Sequence, residues 1–110
     1  MSEYTDYLQD VFAQFGPVSA RGMFGGYGLY HQGLMFALVA DDTLYLKADA
    51  GNVGDFEREG LEPFLYLKGG REVRMSYYRA PEAIFEDHEL AAEWAGGAFQ
   101  AALRAKAGKR

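Results

Sequence analysis

The sequence predicts an α+β fold, a two-layer domain whose antiparallel sheet carries helices on one face, in the order helix, about three strands, helix, two strands, helix. Apolar residues recur at helical spacing near both ends of the chain, and two-residue turn signals separate runs of strand-forming residues between them. Gly25, Gly26 and Gly28 are interleaved with Tyr27, Leu29 and Tyr30. Glycines this dense mark turns, bulges or close backbone approach, so RGMFGGYGLY belongs to a sheet.

The first helix is predicted from Glu3 to Phe15. Ser2 caps its free amides, Glu3 and Asp6 favour its positive end, and Tyr4, Leu8, Val11, Phe12 and Phe15 share one face. Gly16 and Pro17 end it. Strands are expected over Val18 to Met23 and Tyr27 to Tyr30, with Gln32-Gly33 as the next turn. A two-residue turn there sets His31 opposite Leu34, Tyr30 opposite Met35 and Gly28 opposite Ala37. Asp41-Asp42 likewise sets Val39 against Leu44 and Ala37 against Leu46. One face then carries Tyr30, Met35, Ala37, Val39, Leu44 and Leu46, with Gly26 and Gly28 as flat spots for packing helices. The other carries Tyr27, Leu29, Phe36, Leu38, Tyr45 and Lys47. A sheet covered on one side ordinarily has a polar second face, so Tyr27, Phe36, Leu38, Tyr45 and Lys47 form a candidate interaction surface.

A short helix between Asn52 and Glu59, buried through Val53 and Phe56, stops at Gly60. The hairpin that follows runs from Phe64 to Leu67 and from Glu72 to Tyr78 around Gly69-Gly70. Phe64, Tyr66, Val73, Met75 and Tyr77 share the face expected to join the core, and Leu65, Leu67, Arg74, Ser76 and Tyr78 share the other. Pro81 breaks the sheet, and Asp87 caps a last helix through about Ala105. Its expected buried stripe is Leu90, Trp94, Ala98 and Ala101. Gly96-Gly97 within it costs about 1 kcal/mol per glycine relative to alanine, implying a bend or a close neighbour.

Composition fits one domain over residues 1–110, ending in a short basic tail from about 104. With 49% hydrophobic residues the chain can bury one core, and the lack of cysteine excludes disulfides and thiolate metal sites. No targeting segment is evident and the apolar run Leu34 to Ala40 is too short to span a bilayer, so no membrane is expected and the cytoplasm is the default. A formal net charge of -5 argues against a protein that coats nucleic acid. Two basic groups, Arg104, Lys106, Lys109 and Arg110, and Lys68, Arg71, Arg74 and Arg79, fit solvated ends and hairpin edges.

Catalytic and ligand motifs fail on inspection. A dinucleotide fingerprint needs glycine where His31 sits and a helix after the turn, and a P-loop needs a Gly-Lys-Ser/Thr ending. His31 and His88 have no second ligand at useful spacing and fit exposed turn and cap positions, and Asp41-Asp42 lacks the spaced oxygens of a calcium loop. Ser2, Ser19 and Ser76 lack a nucleophile elbow, while Glu57 and Glu59 fall on different sides of a helix. No catalytic residue, metal or cofactor is therefore expected. Arg21 could hold a carboxylate or the carbonyls of the glycine loop.

Taken as a set, RGMFGGYGLY, GLMFAL, LYLKAD, GLEPFLYL, VRMSYYRAP and EWAGGAFQAAL resemble, in that order, the N-terminal domain of the TfoX/Sxy family. These are bacterial regulators linked to natural competence. The resemblance runs from the first helix to about Ala105, and Arg21, Met23, Phe24, Gly25 and Gly26 are its motif residues. It implies a fold similar to that of secretion chaperones and a regulatory context, and it brings no catalytic residues. Longer members continue into a helical C-terminal domain, so a stand-alone N-terminal domain is expected here.

The chain is thus expected to be a non-enzymatic regulatory module acting through protein contacts, in transcription or competence by resemblance. Its partner would be a second copy, giving a homodimer, or the transcription machinery. Its helices offer packing faces and no groove-reading face, so sequence-specific recognition of duplex DNA by this chain alone is not expected. Two alternatives stand: a small-molecule or nucleotide-binding domain using the glycine cluster and Arg21, and a weak nucleic-acid binder.

Overall fold

Three tight turns with left-handed backbone angles at both central residues build the sheet: Gln32-Gly33 (φ 51° and 81°), Asp41-Asp42 (54° and 56°) and Gly69-Gly70 (59° and 78°). Such turns match the natural twist of the strands they join. The computed structural model describes residues 3–23 and 25–108, apart from the side chain of Arg74. The expected Ser2 cap, the motif residue Phe24, and Lys109 and Arg110 of the basic tail lie outside the described residues.

The elements run α1 (Glu3–Val11), β1 (Ser19–Met23), β2 (Gly26–His31), β3 (Leu34–Ala40), β4 (Thr43–Lys47), α2 (Val53–Arg58), β5 (Pro63–Lys68), β6 (Arg71–Arg79), a 3-10 turn (Glu82–Glu86) and α3 (His88–Ala107). The six strands of the described residues form one antiparallel sheet in the order β1-β2-β3-β4-β6-β5. The α+β class and the general order of elements follow the sequence reading, with four strands where about three are expected between the first two helices and with the 3-10 turn added. Helix α1 stops at Val11, four residues before the expected end, and Phe12 to Phe15 continue as turns in which the Phe15 and Gly16 amides donate to the Phe12 carbonyl.

The principal correction concerns register. His31 pairs with Leu34 and Tyr30 with Met35 as the turn dictates, but a bulge between Leu29 and Tyr30 then sets Leu29 opposite Ala37 and Gly28 opposite Leu38. Phe36 is the extra residue, and an extra residue reverses the facing of the chain on one side of it. Tyr27, Leu29 and Phe36 consequently join the core with Ala37, Val39, Leu44 and Leu46. Gly26, Gly28, Tyr30 and Met35 move to the opposite face, with Leu38, Tyr45 and Lys47.

The core is continuous between that sheet face and the helices. Leu8, Val11 and Phe12, then Phe56 of α2 and Ala91, Ala95 and Ala98 of α3, pack in one cluster with the sheet residues just named. Phe36 lies at its centre, fully buried, with ring centroids 5.7 Å from Phe12 and 5.1 Å from Phe15. Helix α3 presents small residues, Ala91, Ala95, Ala98 and Ala101, while Leu90 and Trp94 of the expected stripe are only partly buried. Alanines let its backbone approach the strands closely. Its cap is as expected, the Asp87 carboxylate accepting from the Leu90 amide at 3.0 Å. At Gly96 and Gly97 the helix runs on, and an added Cβ at either meets nothing within 4 Å, so no close neighbour explains the pair.

Near its turn the second hairpin keeps the pairs the turn dictates, including Tyr66 with Val73 and Leu65 with Arg74, before a shift sets Pro63 opposite Tyr78, and the face expected to join the core does not do so. Tyr78 is the residue that enters the core, its ring 5.3 Å from Phe56, whereas Tyr77 lies beside Lys47 on the other face. Pairing of β6 with β4 decides this, since Leu46 lies opposite Tyr78 and Leu46 faces the helices. Strand β5 is left at the sheet edge, where Leu65 and Leu67 stay 49% and 70% exposed.

Candidate interaction surface

The face of the sheet turned away from the helical core is built by alternation. Arg21 and Met23 of β1, Gly28 and Tyr30 of β2, Met35 and Leu38 of β3, Tyr45 and Lys47 of β4, and Met75 and Tyr77 of β6 share it by register. Side-chain contacts agree. A Cβ built on Gly28 would lie 2.9 Å from the Met35 sulfur, 3.2 Å from the Tyr30 ring and 3.3 Å from the Met23 sulfur, so these residues meet over that glycine. Tyr45 and Phe64 rings pack at 4.8 Å. Met23, Leu38, Phe64 and Met75 line a small apolar depression.

Two cations lie over this face. The Arg21 guanidinium sits 4.8 Å from the Tyr30 ring centre and the Lys47 ammonium 5.1 Å from that of Tyr77. A cation over an aromatic face is stabilised by the ring quadrupole while its stem covers apolar surface. Leu38 and Tyr77 are only 3% and 8% exposed, yet neither belongs to the helical core cluster. Burial pushes the Tyr77 phenol up to about 12, with the neighbouring Tyr30 adding to it. The face is therefore a tightly packed aromatic and methionine layer with cations laid across it.

Of the residues proposed from sequence for this surface, the structure brings together Leu38, Tyr45 and Lys47. Tyr27 and Phe36 face the helices, for the register reason given above. Tyr30, Tyr77, Met35 and Met75 take their places. Of the motif residues, Arg21 stacks on Tyr30 and Met23 joins the depression. Gly25 supplies a left-handed angle (φ 71°), and Gly26 sits where a Cβ would lie 1.8 Å from the Val39 carbonyl oxygen. Both glycines serve the chain path.

Outside this face, the charged contact of note joins distant segments. Asp49, in the loop after β4, accepts from Arg104 of α3 through both carboxylate oxygens (2.6 and 2.8 Å) and from the Gly51 amide at 2.8 Å. The Arg104 hydrogen bond foremost holds the Asp49 carboxyl below its usual range. Asn52 braces the same loop, its Oδ1 accepting from the Asp49 amide and its Nδ2 donating to the Lys47 carbonyl. Arg104 thus belongs to a helix and an ion pair, where the sequence suggested a basic tail. His31, expected as an exposed turn residue, is instead wedged between Phe15 and Phe99 with Nδ1 2.7 Å from the Pro17 carbonyl.

No grouping of three or more potential metal ligands occurs among the described residues, and none of their helices is long and apolar enough to cross a membrane. Fold and surface together define a small α+β module whose distinctive feature is one aromatic, cation-bearing sheet face. The family model of the TfoX N-terminal domain matches residues 10–102, and the chain belongs to that family. It is 30% identical over 98 residues to Protein Sxy of Escherichia coli (strain K12), covering 89% of this chain and 47% of Sxy. To the DNA transformation protein TfoX1 of Aliivibrio fischeri (strain ATCC 700601 / ES114) it is 31% identical over 86 residues, 78% of this chain and 41% of the relative. To the DNA transformation protein TfoX of Haemophilus influenzae (strain ATCC 51907 / DSM 11121 / KW20 / Rd) it is 31% identical over 91 residues, 80% and 42% respectively. The chain spans less than half the length of these curated relatives.

Proposed function

We propose that this chain is a competence-related regulatory module of the cytoplasm that acts through protein contacts and carries out no chemistry itself. Two of the relatives are DNA transformation proteins by name, which supplies the context. The observation that carries the mode of action is the sheet face on which partly exposed Tyr30, Met35, Tyr45 and Met75 lie beside the buried Leu38 and Tyr77, in place of the polar surface an uncovered sheet usually has. Aromatics, methionine and arginine are the residues enriched where proteins meet. The transcription machinery is the partner this reading favours.

A photo-crosslinking residue at Tyr45 tests the proposal in the host. Position 45 should capture a discrete protein, while the same group at Leu103, an exposed position of α3, should not. Substituting Tyr45→Glu should lower transformation or the transcription of DNA-uptake genes at unchanged protein level. Equal capture from both positions, or full activity of Tyr45→Glu, would reject the reading.

A further inference from the structure

We propose that the open sheet face receives an acidic polypeptide segment of a different protein, one that also carries an apolar anchor. The inference rests on reading that face as a protein-contact surface and adds the chemistry of the occupant. Its first support is charge segregation. The chain as a whole carries a net charge of -5, yet the described strand positions of this face hold Arg21, Lys47, Lys68 and Arg71 and no aspartate or glutamate. Arg79 shares the register of this face only at the sheet end, where it lines a cleft with Asp42 and Glu82. Among the described residues neither Arg21 nor Lys47 has a carboxylate partner; the ion pairs there are Arg58 with Asp55 and Arg104 with Asp49. Two cations held over a partly desolvated aromatic layer, without counter-charge, complement an incoming carboxylate.

The same geometry disfavours two other occupants. A second copy docked by two-fold symmetry would set this row of cations against itself, and like charges across an interface are penalised. A single-stranded nucleic acid needs open ring faces on which bases stack. Here the Tyr30 ring lies under Arg21, the Tyr77 ring lies under Lys47 and is 8% exposed, and Tyr45 is turned against Phe64. A peptide with a few carboxylates meets mainly the local cations, because charges beyond about 8 Å are screened at physiological salt. The depression between Met23, Leu38, Phe64 and Met75 supplies the apolar anchor point, and methionines adapt their shape to what enters.

The test uses the full chain and a short fluorescent peptide in which Asp and Glu alternate with Leu and Phe. A counterpart with Lys replacing the acids and an oligothymidylate of equal negative charge are measured beside it by anisotropy. The acidic peptide should bind saturably, more weakly as salt rises, and the basic peptide should not. Lys47→Glu and Arg21→Glu should each weaken binding about tenfold with an unchanged circular dichroism spectrum, while Lys47→Arg retains it. Tighter binding of the oligothymidylate would overturn the proposal in favour of nucleic acid. A concentration-dependent dimer dispersed by Lys47→Glu would overturn it in favour of a second copy. So would peptide binding indifferent to both charge reversals, or no binding at all. Crosslinks from position 45 separate this from the broader reading: a partner captured equally by Lys47→Glu leaves a protein-contact face but removes the acidic occupant.

Discussion

Gly26→Ala should destabilise the fold although it adds a single methyl group. The added Cβ would lie 1.8 Å from the Val39 carbonyl oxygen, 2.9 Å from its carbon and 3.3 Å from the Ala40 Cα, and ordinary contact begins at 3.4 Å. All three neighbours are backbone, so no rotamer relieves the clash and the strands must part by more than an ångström where Gly26 pairs with Ala40. Overpacking of this kind costs about 1–3 kcal/mol, against which removal of a flexible glycine returns roughly 0.5–1 kcal/mol. A net loss of about 1–2 kcal/mol lowers the Tm by roughly 4–16 °C for a domain near this size. Two other glycines of the same hairpin calibrate the measurement. At Gly28 the nearest atoms are the Met35 and Met23 sulfurs and the edge of Tyr30, and thioethers can swing aside, so Gly28→Ala should cost under about 1 kcal/mol. At Gly22 nothing lies within 4 Å, and Gly22→Ala should stabilise by about 0.5 kcal/mol through the unfolded chain. Urea unfolding of the three variants gives the order directly. If Gly26→Ala proves as stable as Gly22→Ala, the close approach of β2 and β3 is wrong.

Phe36→Ala should cost about 3–5 kcal/mol because the ring is fully buried against Phe12 and Phe15, whereas Tyr45→Ala, only partly buried on the opposite face, should cost less; similar losses in denaturant midpoint would refute the bulge. Tyr77 holds its proton to about 12 in the fold, against 10.0 ordinarily, so the contribution is fully present below pH 10 and is lost as pH rises towards 12. Phenolate absorbance should show a step near 12 that Tyr77→Phe removes. Asp49 titrates below its usual range, so the unfolded chain takes up the proton first: the stability it adds is present above the ordinary aspartate range and is lost as pH falls below about 4. Arg104→Ala should flatten that acid limb of the urea midpoint, and an unchanged slope would show that the Asp49–Arg104 pair does not set it.

The elements were legible because their signals are local. Gln32-Gly33, Asp41-Asp42 and Gly69-Gly70 each specify a tight turn, and such a turn fixes the pairs beside it: His31 with Leu34, Ala40 with Thr43, Lys68 with Arg71. Asp87 announces α3 in the same way, through one carboxylate and the amide three residues on. The Asp49–Arg104 pair was invisible because its members stand 55 residues apart and meet only once α3 packs.

Facing was the weak link, and its failure has one physical origin. A two-residue turn propagates register only until a bulge intervenes, and Leu34-Met35-Phe36-Ala37 gives no sign, in a run where every residue is apolar, of which one is extra. Shape decides it in the fold. With Phe36 bulged, a large ring and the small Ala37 both turn towards the helices, filling the space beside Phe12 and Phe15 while leaving room for the alanine face of α3. The same shift carries Gly28 to the other side, where its missing side chain lets Met23, Tyr30 and Met35 close together. One extra residue thus completes the core and assembles the aromatic face at once. A deletion that removed Phe36 would leave the pairs themselves in place, Tyr30 with Met35 and Leu29 with Ala37, so both faces would keep their residues and the loss would be that of the buried ring, about 3–5 kcal/mol.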